Sequence, residues 1–237
     1  MVRLGSTTQL NTSGNFVEIN SVESIKNSAS KLLMKQCFQT ADVKTAKWGV
    51  AENLEKLVIL ANELTSGWKN RLVCKSHMGS RGLGNTLINN EDELLAWTNG
   101  KNLNNYIFEK YYNYSREYRL HITEHGCFYT CRKMLKEETP DNERWFRNNF
   151  NSIWVVEENL LFNKPTNWQE VVDECVKALK AIGADLLCFD VKMSSKDGSF
   201  ILLESNSGPS FGTITLEKYL EEIPKIINRK LVEENGA

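Results

Sequence analysis

The chain has 237 residues, of which 25% are charged and 41% hydrophobic. That suits a folded soluble protein with enough chain for one large domain or two small lobes around a sizeable core. A formal net charge of −1 argues against bulk attraction to nucleic acid or an anionic membrane, no apolar run nears the roughly 18 residues of a spanning helix, and Met1-Val2-Arg3-Leu4 opens no signal peptide.

Val2–Leu4 and Phe16–Ile19 read as short extended segments around a polar stretch. From Ser21, a plausible N-cap, Val22, Ile25, Ala29, Leu32, Leu33 and Phe38 recur at helical spacing and predict a helix. Lys31 lies one step from its apolar stripe, where a lysine is ordinarily just solvated. Trp48–Ser66 is apolar without a clean period, a mixture of helix and strand. Leu72–Cys74 is β-prone and Lys75 ends it. Gly79, Gly82 and Gly84, with Ser80 among them, then mark a loop before a second strand, Thr86–Ile88. Such a loop either turns its N–H groups inward to cradle phosphate, with Lys75 as balancing charge, or is a plain hairpin connection. Its spacing matches neither a Walker A motif nor the dinucleotide fingerprint. Asn90–Glu93 resembles a capping box and starts a short helix that stops at Gly100.

Asn105–Phe108 is a strand running into a second one, in which Glu117, Arg119 and His121 alternate with Tyr118, Leu120 and Ile122, so one face is polar and one apolar. The tyrosines at 111, 112, 114 and 118 are more consistent with packing than with stacking on bases, since no basic excess surrounds them. Cys127–Leu135 forms another strand, ending near Arg132 and Lys133, and a long polar segment to Asn151 carries a basic knot with Arg144 and Arg147. Asn167 and Glu170 read as a capping box for the clearest helix of the chain, whose buried stripe is Trp168, Val171, Val172, Cys175 and Leu179 and which Gly183 ends. Two strands follow, LLCFDVKM and SFILLES, joined through Lys196-Asp197-Gly198. Asp190 lies in the first, Glu204 near the end of the second, and Asn206 two residues on, hence on the same face as Glu204. These are hard oxygen donors that suit Mg²⁺ shared with phosphate, or else incidental acids on a solvated hairpin. A terminal helix is kinked or restarted at Pro224, and Glu233–Ala237 is expected to fray. Six cysteines without zinc-type spacing read as reduced core residues of a cytosolic protein.

In order, these stretches resemble the ATP-grasp superfamily, in particular the carboxylate–amine ligases related to D-alanine–D-alanine ligase and the RimK-type enzymes. The resemblance runs from about Ser21 to about Tyr219 and rests on SASKLLMKQCFQTADVKTAKW, VCKSHMGSRGLG, IFEKYYNYSREYRLHI, RWFRNN and FDVKM with LLESNSGPSFG. It implies an α+β fold whose two lobes, with antiparallel sheets, clasp ATP. Residues 1–44 would form a segment with a lysine-bearing helix, 45–108 the small lobe with the glycine loop, and 109–237 the lobe with the metal site. Lys31, Lys75 and the loop residues Gly79, Ser80, Gly82 and Gly84 would contact nucleotide phosphates. Glu109, Lys110 and Tyr111 would meet the adenine and Glu117 the ribose. Arg119, Arg132 and Arg147 would steady the acyl phosphate, with Lys133 able to replace Arg132. Asp190, Glu204 and Asn206 would hold Mg²⁺.

The implied activity is ATP- and Mg²⁺-dependent joining of a carboxylate, activated as its acyl phosphate, to an amine of an amino acid, peptide or protein. A kinase that stops at phosphoryl transfer and a non-catalytic nucleotide-binding module are the alternatives. The family usually carries a full α/β domain ahead of the lysine-bearing helix, where this sequence offers only Met1–Asn20. A second chain, a homodimer or a protein substrate would then complete the substrate site. No general base is evident, and His77 is the only histidine placed to be one.

Overall fold

The computed structural model describes residues 1–9, 16–78 and 84–235. Helices α1 (Val22–Ala29) and α2 (Lys31–Thr40) replace the single helix expected after Ser21. Ser30 adopts extended backbone between them and its hydroxyl accepts from Leu33 N–H, so it closes one helix and caps the next. The mixed region resolves into β1 (Trp48–Gly49) and α3 (Leu54–Thr65), the latter capped by Asn53, whose side chain accepts from Lys56 N–H at 2.9 Å. Then come β2 (Leu72–Ser76), β3 (Thr86–Ile88), α4 (Glu91–Thr98) and β4 (Tyr106–Lys110). The remainder is β5 (Arg116–Thr123), β6 (Gly126–Leu135), β7 (Ser152–Val156), α5 (Trp168–Ile182), β8 (Leu186–Met193), β9 (Phe200–Asn206) and α6 (Thr213–Asn235).

The strands make two antiparallel sheets, β1-β4-β2-β3 and β7-β6-β5-β8-β9. In the smaller sheet Leu72, Cys74 and Phe108 pack under α3 and α4 with Leu57, Ala61 and Leu94. Strand alternation turns Val73, Lys75 and Glu109 to the opposite face. The larger sheet divides the same way. Leu187, Phe189 and Val191 of β8 join Tyr118, Leu120 and Ile122 of β5 under α2 and α5, the main core. Leu186, Cys188, Asp190 and Lys192 alternate onto the other face, yet every β8 position is buried, because the smaller sheet and α6 cover that side. Polar side chains there are buried without being core, which is how the fold builds its site.

Three local expectations are corrected. Asn167 makes no cap bond to α5; its amide donates to Gly198 O in the β8–β9 turn at 3.1 Å, tying helix to hairpin. Pro224 lies inside α6, which continues through it, so the helix does not restart there. That helix runs to Asn235, while Gly236 and Ala237 lie outside the described residues. Gly183 does end α5, at φ +77°, a conformation that favours glycine. All six cysteines are free thiols, and burial pushes Cys131 and Cys188 up to about 12, which keeps them protonated at neutral pH.

Candidate functional site

A cleft opens between the polar faces of the two sheets, lined among others by Lys75, Glu109, Lys110, Tyr111, Glu117, Arg147, Asp190, Lys192 and Glu204. Two ionic hubs hold its walls. In the smaller sheet the buried Glu109 carboxylate lies 2.6 Å from Lys75 Nζ and 2.9 Å from Lys35 Nζ. Lys35 comes from α2 and so ties the lysine-bearing helix to β4. Its ammonium also donates to Thr45 Oγ1 at 2.5 Å. Burial alone would raise Glu109, but the two lysines overcome it and hold the carboxyl at about 2. One carboxylate divided between two lysines does not repay Lys35 for its own burial, and its pKa falls. Lys31, one turn earlier, is also buried, and that burial lowers it despite the attraction of Glu204.

In the larger sheet the hub is Asp190. Arg119, its direct cross-strand partner on β5, donates from Nε at 2.7 Å and Nη2 at 2.9 Å in a bidentate pair, and Lys133 Nζ donates at 2.5 Å. Lys133 also lies 3.2 Å from Glu117, which Arg147 approaches at 3.6 Å. Here attraction outweighs burial: Asp190 and Glu117 lift Lys133, Asp190 lifts Arg119, and Asp190 itself is held well below the usual carboxylate range.

The structure brings together Lys31, Lys75, Glu109, Glu117, Arg119, Lys133, Arg147, Asp190 and Glu204 around this cleft. Arg132 is not among them. Alternation places it on the opposite face of β6 from Lys133, where its Nη1 donates to Leu161 O at 2.7 Å. Glu109 turns its carboxylate onto Lys35 and Lys75, and Tyr111 N–H is used by Arg71 O; Lys110 and Tyr111 both line the cleft, with the Lys110 ammonium 5.5 Å from the Tyr112 ring centroid. His77 Nε2 is buried without a partner. Of the glycine loop only Gly84 is described, at φ +78°; Gly79, Ser80 and Gly82 lie outside the described residues.

Four contributors escape sequence reading. Lys35 is fully buried, and its signal was its place at i+4 from Lys31 and i−3 from Phe38, a lysine on the buried stripe. Lys192 shares Asp190's face, donates to Trp145 O at 3.1 Å, sits 5.0 Å from the Tyr111 ring centroid, and is pushed down by burial to about 8. Trp145 and Phe146 reach the cleft from the long polar segment, which no periodicity could place.

Oxygen donors for a divalent cation are present in part. Glu204, directly opposite Asp190 across β8–β9, forms no hydrogen bond or ion pair with the described residues, and Asn206 Nδ2 is buried without a partner, so neither side chain is committed elsewhere. Asp190 already receives two cations. Among the described residues no three His, Cys, Asp or Glu side chains form a metal cluster.

Two antiparallel sheets with a charged cleft between them, backed by helices, define an α+β protein of the ATP-grasp fold. D-alanine–D-alanine ligase from Bacillus anthracis superposes with a TM-score of 0.65 at 19% identity over 91% of this chain and 69% of that one. N5-carboxyaminoimidazole synthetase from Staphylococcus aureus, in complex with ADP, gives 0.64 at 18% over 84% and 50%. The ATP-grasp ligase PsnB with its minimal precursor gives 0.58 at 16% over 83% and 58%. No family model and no curated protein matches the sequence.

Proposed function

We propose that the chain is an ATP-dependent carbon–nitrogen ligase that activates a carboxylate as an acyl phosphate and joins it to an amine. The observation that carries this reading is the sign of the charge at the cleft. Lys31, Lys35, Lys75, Lys110, Arg119, Lys133, Arg147 and Lys192 gather there against Glu109, Glu117, Asp190 and Glu204, in a chain whose net charge is −1. A cationic surplus held in low dielectric favours a polyanion.

A carboxylate resists amines because oxide is a poor leaving group. In the proposed reaction its oxygen attacks the γ-phosphorus, the bond to the ADP oxygen breaks, and the acyl phosphate forms. The amine nitrogen then attacks the acyl carbon, phosphate leaves, and the amine proton passes to solvent or phosphate. Lys75 and Lys31 would bind phosphates, Glu117 the ribose, and the Tyr111 and Trp145 side the base. Arg119, Lys133 and Arg147 would stabilise charge on the transferring group and the later oxyanion. Mg²⁺ bound by Glu204 and Asn206, with Asp190 adjoining, would neutralise phosphate charge and align the γ-phosphoryl group.

The test is ADP release by wild type and Glu204→Gln across a panel of acids and amines, with product masses. Release that needs both substrates, yields a product lighter than their sum by one water, and falls at least a hundredfold in the variant is expected. A phosphorylated product without an amide, or ADP binding with no turnover on any pair, overturns the reading.

A further inference from the structure

A second pocket adjoins the cleft across the Arg119–Asp190 pair: Asp190 lines the cleft, Arg119 the pocket. Its other walls bring three aromatic side chains, Trp154 from β7, Tyr129 from β6 and Phe211 from the turn after β9, together with the uncharged polar Asn149, Ser210 and Thr215. The Arg119 guanidinium carbon sits 4.9 Å over the Trp154 ring. Nε and Nη2 of Arg119 are spent on Asp190, and no described residue accepts from Nη1. Arg119 is the only charged group lining this pocket among the described residues. His121, also on its wall, is held neutral by burial and by the neighbouring arginine, at about 3, and its Nδ1 is paired with Tyr219 OH at 2.8 Å.

What is lacking is as specific as what is present. A free amino acid enters as a zwitterion, and its ammonium is costly to bury beside a fixed cation with no acid to pair it. No carboxylate lines the described walls, and the face of Trp154 already carries Arg119 and, at 5.2 Å, Lys133 Nζ. A second cation there would be repelled. We propose that this pocket receives the carboxylate substrate, and that it selects a carboxylate borne on an apolar or aromatic group with no ammonium beside it. A peptide carboxylate and a simple arylalkyl acid share that chemistry. The proposal rests on the ligase reading for its purpose, since Arg119 would hold the acid next to the phosphates, but not for its test.

The test is binding to the full chain in the presence of ADP, by calorimetry or ligand-observed NMR, of a set differing at one group: 3-phenylpropionate, N-acetyl-phenylalanine, N-acetyl-alanyl-phenylalanine, phenylalanine and phenylethylamine. The acids without ammonium should bind at least tenfold more tightly than phenylalanine, and phenylethylamine should not bind. Phe211→Ala, at a half-exposed position that tolerates change, should weaken the acids at least fivefold, and Trp154→Leu should do the same. The dipeptide acid binding more tightly than 3-phenylpropionate assigns the peptide source, and the reverse assigns the small acid; both keep the proposal. Phenylalanine binding as well as its N-acetyl form, or both variants binding the acids unchanged, overturns it. The two readings can fail separately. Acids that bind but never trigger ADP release sink the ligase and keep the pocket, whereas ADP release with zwitterionic amino acids but not their N-acetyl forms keeps the ligase and sinks the pocket.

Discussion

The two hubs look alike, each a buried carboxylate flanked by two cations, but their electrostatics run in opposite directions. Around Glu109 the buried cation Lys35 is lowered, because burial costs more than a carboxylate shared with Lys75 returns. Around Asp190 the cations Arg119 and Lys133 are raised, because the bidentate geometry and a second acid, Glu117, more than repay their burial. The first hub carries more cation than its one carboxylate balances, which is the charge an incoming anion would offset. The second is balanced by its own two acids, which fixes the Arg119 guanidinium through Nε and Nη2 and leaves Nη1 without a described acceptor. A cluster's role is therefore read from the sign of what it still lacks, more than from its inventory of charges.

Removing either carboxylate leaves two buried cations, so Glu109→Gln and Asp190→Asn should have the largest effects, about 3–5 kcal/mol each by urea denaturation. The comparison sharpens when a cation is removed instead. Lys35→Met trades an ammonium that burial already penalises for a side chain of similar length, and leaves Glu109 paired with Lys75. Stability should change by less than about 1 kcal/mol while ADP affinity falls at least tenfold. Arg119→Met breaks a bidentate pair at a satisfied hub and should cost about 2 kcal/mol of stability. Equal stability losses in the two variants would collapse the distinction between the hubs.

Acid titration separates them by a different route. His121 lies behind Arg119 and resists protonation down to about 3, from an ordinary value of 6.5. Above pH 6.5 it is neutral folded and unfolded and costs nothing. As pH falls from 6.5 toward 3 the unfolded chain takes up a proton that the folded chain refuses, so stability drops by up to about 1.4 kcal/mol per pH unit. Glu109 contributes with its own sign: its depressed pKa gives stability that is full above 4.5 and is lost as pH falls toward about 2. The larger sheet should thus weaken first on acidification. His121→Asn should remove the slope between pH 6 and 4.5, measured by denaturation midpoints, and leave the steeper loss below 4.5.

How far the sequence discloses this follows from the range of each interaction. The hairpin with Asp190 and Glu204, the strand with Lys75 and the polar alternation at Glu117 and Arg119 are local patterns, readable because a strand's period is two. The pairing of Arg119 with Asp190 depends on the register of β5 against β8, residues far apart in sequence, and no local period reports it. Arg132 and Lys133 show the limit sharply: adjacent cations are interchangeable in a motif, yet a one-residue step sends them to opposite faces. Lys35 was legible in principle, as a lysine where the helical stripe demands an apolar side chain. The break at Ser30 was not, since serine is tolerated within helices and caps them equally well.

The smallest effect tests what joins the hubs. Thr45 Oγ1 accepts from Lys35 Nζ and donates to Leu202 O of β9 at 2.8 Å, so one hydroxyl links the lysine-bearing helix to the strand that carries Glu204. Thr45→Val keeps the shape and removes both bonds. Leu202 N–H still donates to Lys44 O at 2.8 Å, which keeps the two segments joined and limits the cost to about 1 kcal/mol. If the hydroxyl positions Lys35, ADP affinity should fall threefold or so, less than in Lys35→Met, and the double variant should bind no worse than Lys35→Met alone, because the second substitution removes a support whose load is gone. Additive losses in that cycle would mean that Thr45 and Lys35 act on the nucleotide independently, and that the connection between the hubs runs through Glu109 alone.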